Sequence, residues 1–114
     1  MGFELCPKVE IALSLLGKRW NGMIIHVLLH GQKRFKDLNE MIPHISQKML
    51  AERLKELEQE GIIKRDVLPE TPVKVIYHLT EKGEELKPVL SEIATWADKN
   101  CVPELAGNEK NEQQ

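Results

Sequence analysis

The chain has 114 residues and a formal net charge of −2, with 41% apolar and 30% charged side chains. This length suits one domain with a modest core, and the composition is ordinary for a globular protein. The longest apolar runs, such as "MIIHVLL", are too short to span a bilayer, and no basic segment followed by an apolar run opens the chain. The sequence therefore predicts a cytoplasmic protein with no membrane segment.

Basic side chains are concentrated in one stretch of the chain. Residues 33–55 contain six basic and three acidic side chains, so this stretch carries +3 and the remainder carries −5 of the total of −2. A local basic excess is the electrostatic footprint of a phosphate-binding surface. A solvated helix surface is a commoner origin of so small an excess, so charge alone does not identify a nucleic-acid binder.

Three helices are predicted in the first part of the chain. Pro7 suits the first position of a helix that Gly17 ends or interrupts. A second apolar helix is expected within residues 19–31. A third, shorter helix is expected within residues 33–43, where Pro43 closes it.

The fourth predicted helix has the clearest pattern. Ser46 is a good N-cap, and Gly61 is expected to stop the helix. The apolar residues between them recur at i, i+4 and i+7, which places them on one buried stripe: Leu50, Leu54 and Leu57.

The pattern then changes period, which indicates a β-hairpin. Residues 62–68 and 73–80 are short, rich in β-branched side chains and partly alternating, and the sequence "PETP" between them is a stiff turn. Thr80 is a good cap for a last helix, and Pro88 should kink or split that helix.

This order of elements predicts a mainly α fold with a small β-hairpin, a winged helix-turn-helix, in residues 1–106, followed by a flexible polar tail in residues 107–114. In this layout the leucine stripe packs the fourth helix onto the second and third. The opposite face is then free to enter a DNA major groove, which admits one α-helix.

The candidate DNA contacts are polar or basic side chains of the third helix, the fourth helix and the hairpin. The N-terminal half of a recognition helix usually reaches the bases, whereas side chains further back contact phosphate. Glu52 either accepts a hydrogen bond from a cytosine amino group or pairs along the helix with Lys48 or Lys55. The full candidate set is Arg34, Lys36, Ser46, Gln47, Lys48, Arg53, Lys55 and Lys74.

Three stretches of the chain resemble a known family. The sequences "CPKVEIALSLLGKRWNGMIIHVLLHGQKRFKDL", "ISQKMLAERLKELEQEGIIKR" and "YHLTEKG" are similar to the HxlR-type regulators, relatives of the MarR group of bacterial winged-helix repressors. The resemblance covers Cys6 to Asn100, with several motifs in the right order. The sequences "GKRWNG" and "LPETPVKVIY" resemble the thiol-based members that sense quinones and diamide. The resemblance implies a homodimer built on the first and last helices, with a double-stranded DNA operator as its partner.

Cys6 directly precedes Pro7 and is therefore expected at the N-cap of the first helix. The positive end of the helix dipole and the nearby Lys8 favour a thiolate, the form that attacks electrophiles and enters disulfide exchange. A small buried hydrophobe is the alternative, because free cysteines are usually buried and inert. The resemblance implies that this position holds the sensing thiol, where quinones or diamide react.

Cys101 is expected at the end of the last helix. A helix C-terminus favours cations, so this position suits a resolving partner better than a primary sensor. An incidental thiol near the chain end is equally compatible with the residues. The resemblance supports a disulfide between Cys6 of one subunit and Cys101 of the other.

Other chemistry is weakly represented. The chain has no glycine-rich phosphate loop, nucleophile elbow or pair of catalytic carboxylates, so neither an enzyme nor a cofactor is expected. His26 and His30 have the i, i+4 spacing of zinc ligands, but no acidic or cysteine partner accompanies them, and no metal site is expected.

The sequence thus predicts a homodimeric repressor of a palindromic operator that is released by oxidation or alkylation of Cys6. One alternative is a repressor that senses nothing and in which Cys6 is structural. The other is a winged-helix module that binds protein.

Overall fold

The computed structural model describes residues 3–103, so the predicted tail at residues 107–114 and the domain boundary at residue 106 lie outside the described residues. The elements follow one another in the order that the sequence predicts. They are α1 (Pro7–Gly17), α2 (Asn21–Leu28), α3 (Phe35–Met41), α4 (Gln47–Gln59), β1 (Ile63–Leu68), β2 (Lys74–Leu79), α5 (Glu81–Glu84) and α6 (Lys87–Asn100).

Helix α3 lies within the predicted range of residues 33–43. It begins at Phe35, because Lys33 is paired with the hairpin. Its backbone N–H donates to the Tyr77 carbonyl at 3.0 Å, and the Tyr77 N–H donates to the Lys33 carbonyl at 2.8 Å. Lys33 therefore acts as a one-residue third strand that attaches the hairpin to the helices.

The core lies between α2, α3, α4 and the base of the hairpin. The predicted stripe of α4 is confirmed, since Leu50 and Leu57 are fully buried and Leu54 is 2% exposed. The side chains that meet this stripe come from α2, from the end of α3 and from the first residue of β1: Ile24, Ile25, Leu28, Leu38, Ile42 and Ile63. Packing of this stripe fixes which face of α4 remains outside.

The hairpin and the last helical segment also follow the prediction. Strands β1 and β2 are antiparallel, with Ile63 opposite Leu79 and Leu68 opposite Lys74. The Thr80 hydroxyl oxygen accepts from the Gly83 N–H at 3.1 Å and so caps α5. The last helix is split into α5 and α6, with Pro88 in the first turn of α6. Within residues 3–103 no helix is both long and apolar enough to cross a membrane.

Candidate nucleic-acid interface and thiol site

The N-terminus of α4 presents polar side chains to solvent. The Ser46 hydroxyl accepts from the Met49 N–H at 3.0 Å, which confirms the predicted cap and leaves the hydroxyl hydrogen free to donate outward. Gln47 and Lys48 follow and are exposed. The first N–H groups of a helix and its dipole attract an anion such as a phosphate. This end of α4 therefore combines polar hydrogen-bonding groups with a cation.

The outward face of α4 carries Lys48, Glu52 and Lys55, which are all exposed. In the part of the chain that the structure describes, neither lysine forms an ion pair, and Glu52 pairs with neither of them. The intrahelical pairing that could have explained Glu52 is therefore not formed. Both ammonium groups remain available to an external anion.

The start of α3 adds two further cations to the same part of the chain. Arg34 is the N-cap residue of α3, and its backbone N–H donates to the Asp37 carboxylate at 3.2 Å. Lys36 lies in the first turn. Both side chains are exposed. The α3–turn–α4 unit therefore presents basic groups at the beginning of each of its helices.

Arg53 is placed differently from the other predicted contacts. Its side chain is only 12% exposed. Its Nε donates to the Arg19 carbonyl at 3.0 Å, and its Nη1 lies 3.3 Å from the Glu56 carboxylate. The same carboxylate oxygen of Glu56 lies 2.9 Å from the Lys18 Nζ. Arg53 therefore has protein partners that join α4 to the residues directly after α1, and we leave it out of the proposed DNA surface.

This ion-pair cluster also perturbs one carboxyl group. The Lys18 ammonium donates to the Glu56 carboxylate and holds the pKa of that carboxyl below its ordinary value, although partial burial opposes the shift. The charge of Arg53 lowers the same pKa further. Glu56 therefore stays ionised to a lower pH than an unpaired glutamate would.

The hairpin carries more exposed cationic groups than the sequence reasoning selected. Lys74 opens β2 and is half-buried, whereas Lys64 and Arg65 on β1 are exposed. The Lys64 Nζ lies 3.9 Å from the Asp66 carboxylate, a weak contact. The sequence reasoning missed Lys64 and Arg65, and the adjacent pair "KR" in a predicted strand was the signal that could have found them. Alternation along a strand puts them on opposite faces.

Both thiols lie at helix ends and are free. Cys6 is the N-cap residue of α1, in extended backbone conformation, and its side chain makes no capping hydrogen bond. Cys101 is the C-cap residue of α6, and its N–H donates to the Ala97 carbonyl at 2.7 Å. Both side chains are exposed, and neither cysteine forms a disulfide within this chain. The predicted helix-end positions are confirmed, and the buried alternative for Cys6 does not hold in the isolated subunit.

The helices that carry the thiols expose apolar side chains. No residue of α1 is buried, and Leu90 is the one buried residue of α6. A patch of exposed apolar side chains on a monomer marks an interaction site. The exposed apolar side chains are Leu5, Val9, Ile11 and Leu13 at α1, and Val89, Ile93 and Trp96 on α6.

A helix-turn-helix with a capped, outwardly basic second helix, followed by a two-stranded wing, defines the class of winged helix-turn-helix transcription regulators. Residues 15–105 match the model of the HxlR-like helix-turn-helix family, and the chain belongs to that family. The members that it resembles are transcriptional regulators and not enzymes.

A similar relative is the HTH-type transcriptional regulator YodB of Bacillus subtilis. It is 68% identical over 103 residues, which cover 90% of this chain and 92% of YodB. The reduced form of YodB superimposes with a TM-score of 0.78, at 68% identity over 88% of this chain and 98% of that chain. The diamide-treated form gives a TM-score of 0.73, at 67% identity over 89% of this chain and 100% of that chain. The quinone-bound form gives a TM-score of 0.72, at 62% identity over 82% of this chain and 99% of that chain.

Proposed function

We propose that this protein is a homodimeric transcriptional repressor that binds a palindromic DNA operator in the cytoplasm and releases it when Cys6 is alkylated or oxidised. The observation that carries the proposal is the position of Cys6. It is an exposed, unbonded thiol at the N-terminus of α1. The end of the same helix is joined to α4 through Lys18 and Glu56.

The dimer is supported by the apolar side chains that α1 and α6 leave exposed. A groove of about 360 Å³ between α1, α2 and α6 is lined by Leu16, Met23, His26, Leu90 and Ile93, among others, and could accept an apolar side chain of the partner. Pairing of these faces in a two-fold dimer would place two recognition helices on one side of the molecule. The operator would then contain two half-sites about 10 base pairs apart, or a multiple of that distance.

The DNA contact is supported by the free polar and cationic groups of α4. Ser46, Gln47 and Lys48 lie where a recognition helix usually reaches base edges, and Lys55 lies where phosphate contacts are common. Arg34 and Lys36 would contact the backbone beside the groove. Lys74 would extend the contact along the wing.

The chemical step at Cys6 needs no cofactor. The thiolate adds to a ring carbon of a quinone, forming a C–S bond, and the quinone ring is reduced to a hydroquinone as its oxygens take up protons. With diamide, two thiols are oxidised to a disulfide and the azo group is reduced to a hydrazine. Cys101 of the partner subunit is the proposed second thiol, and the structures of diamide-treated and quinone-bound YodB support both routes.

The signal would pass from Cys6 to the DNA along α1. A bulky adduct or a disulfide at the N-terminus of α1 would shift this helix against its partner, because no α1 side chain is fully buried and the two that pack partly against the core, Leu15 and Leu16, lie at the other end of the helix. Lys18 and Arg19, which follow α1, contact Glu56 and Arg53 of α4. A shift of α1 would therefore change the spacing of the two recognition helices.

Footprinting on the DNA upstream of the protein's own gene tests the proposal. The reduced protein should protect two half-sites with strong salt dependence, and quinone or diamide should abolish protection. No salt-dependent protection would favour a protein-binding module, and protection that is insensitive to both reagents would favour a repressor that senses nothing. A non-reducing gel separates the two routes, since Cys101→Ser should lose any covalent dimer and remain open to alkylation at Cys6.

A further inference from the structure

His26 and His30 lie side by side at the C-terminal end of α2, outside the surface assigned to DNA, and His26 also lines the groove that could accept a side chain of the partner. His26 is in the last turn of α2, and His30 is in the helical turn that follows it. The two ring centroids are 5.3 Å apart, and the rings meet edge to face at 81°. Both side chains are exposed, so a ligand can reach both rings from solvent.

One hydrogen bond fixes the chemistry of His30. Its Nδ1 lies 3.0 Å from the His26 carbonyl oxygen. A carbonyl can only accept, so Nδ1 carries the hydrogen in this bond, and the lone pair that a neutral ring offers to a metal is the one on Nε2. Histidines that bind metals usually donate their other ring N–H to a carbonyl or carboxylate in this way, which fixes the tautomer and the ring orientation. The fold therefore already holds His30 as a metal ligand is held.

The separation of the two rings permits both to bind one ion. Metal–nitrogen bonds of about 2.0–2.1 Å put each ring centre roughly 3.2 Å from the ion, so two rings can share an ion at up to roughly 6.4 Å between centres. The observed 5.3 Å is within this limit. Among the described residues no group of three or more histidine, cysteine or acidic side chains could surround a metal. Water would therefore complete the coordination.

We propose that His26 and His30 form a surface site for a divalent transition metal, with Cu²⁺ bound more tightly than Ni²⁺ or Zn²⁺. Two imidazoles with water suit Cu²⁺, which also stands highest in the affinity order of these ions. A structural zinc site takes four protein ligands, which this pair does not provide. The site requires neither DNA nor a thiol, so its test is independent of operator binding and of the chemistry at Cys6, and only the groove proposed for the partner subunit shares a residue with it, His26.

The test uses the full-length chain without an affinity tag and with Cys6→Ser and Cys101→Ser, because thiols bind and reduce Cu²⁺. Calorimetric titration with Cu²⁺ should give one site per chain, and electron paramagnetic resonance should show two nitrogen ligands. His26→Gln and His30→Gln should each weaken binding by at least about tenfold. Far-UV circular dichroism checks that each variant remains folded.

His44→Asn is the matched control, because His44 is a lone exposed histidine with a positive φ of 71°, a conformation that asparagine tolerates. It should leave Cu²⁺ affinity unchanged. The assignment of the site is wrong if His26→Gln or His30→Gln binds Cu²⁺ as tightly as the parent. It is also wrong if His44→Asn weakens Cu²⁺ binding as much as the two glutamine variants do.

Discussion

Helices α1 and α4 are similar in length, with 11 and 13 residues, but they are held in opposite ways. Helix α4 buries a complete leucine stripe in the core of its own subunit, whereas α1 buries no residue at all. A helix that packs against the core along its whole length is held in one orientation, so its solvent-exposed face is a rigid surface. A helix with an exposed apolar face takes its position from whatever covers that face.

This contrast assigns different tasks to the two helices. Helix α4 presents Lys48 and Lys55 from a rigid base, which suits recognition of a regular DNA groove. Helix α1 follows the exposed thiol of Cys6 and is followed by a cluster of ion pairs with α4. Under the proposed function, the less buried helix carries the sensing thiol and the fully packed helix contacts DNA.

The largest expected effect is a loss of stability that tests the difference in packing between α4 and α1. Leu54→Ala removes a side chain that is 2% exposed and should lower the free energy of unfolding by about 2–5 kcal/mol at every protein concentration. Leu13→Ala on α1 removes a side chain that is 61% exposed. Its effect should grow with protein concentration, because it is coupled to dimer formation. Denaturant titrations at several protein concentrations measure the free energy of unfolding of both variants. If both lose the same free energy at every concentration, the two helices do not differ in how they are held.

The next effect tests what covers α1. Leu13→Asp should weaken the dimer at least about a hundredfold, or roughly 2.8 kcal/mol, because it places an unpaired carboxylate in an apolar interface. Ser14→Asp adds the same charge at the neighbouring residue, on the polar side of α1, and is the matched control. Sedimentation equilibrium gives the dissociation constants. A dimer that tolerates Leu13→Asp would place the interface elsewhere.

The third effect tests the fixed face of α4. Lys48→Ala should leave the fold intact and weaken operator binding. If Lys48 reads a base, discrimination between sequences should fall by about 1–3 kcal/mol. If it meets phosphate, binding to all sequences should weaken and the salt slope should fall by about 1. Lys87→Ala, an exposed lysine at the start of α6, is the control in the same binding assay. Unchanged affinity in Lys48→Ala would remove this residue from the interface.

The smallest effect concerns the link between the two helices. The pKa of Glu56 is lowered in the folded chain, chiefly by its hydrogen bond from Lys18. Its ionised form therefore adds stability above its unfolded-state pKa, and this stability is lost as the pH falls through the lowered folded-state pKa. Glu56→Gln should be less stable than the parent at neutral pH, and the difference should vanish in acid. A difference that does not depend on pH would assign the effect to packing.

The parts of the fold that follow from local chemistry were predictable from the sequence. The leucine stripe, the Ser46 cap and the break at Pro88 each depend on residues within one or two turns of chain. The hairpin followed from two β-branched runs around a proline-rich turn. These features require no knowledge of what lies across the core.

Contacts between distant parts of the chain were not predictable. A helical wheel gives the direction of Arg53 but not the Arg19 carbonyl, 34 residues away, that binds its guanidinium. The pairing of Lys33 with Tyr77 likewise depends on how the hairpin folds back, and it sets where the third helix begins within its predicted range. The DNA contacts themselves, and the roles of Cys6 and Cys101, remain predictions.

The most direct test of the account is the electrophile response of Cys6→Ser. Serine is a competent N-cap, so the variant should fold and bind the operator as the parent does. It should stay bound at doses of quinone that release the parent, because serine has no thiolate to react. A dose–response curve of operator binding by fluorescence anisotropy measures this for both proteins. Release of Cys6→Ser at the same dose as the parent would contradict the account, because the signal would then enter the protein at another residue.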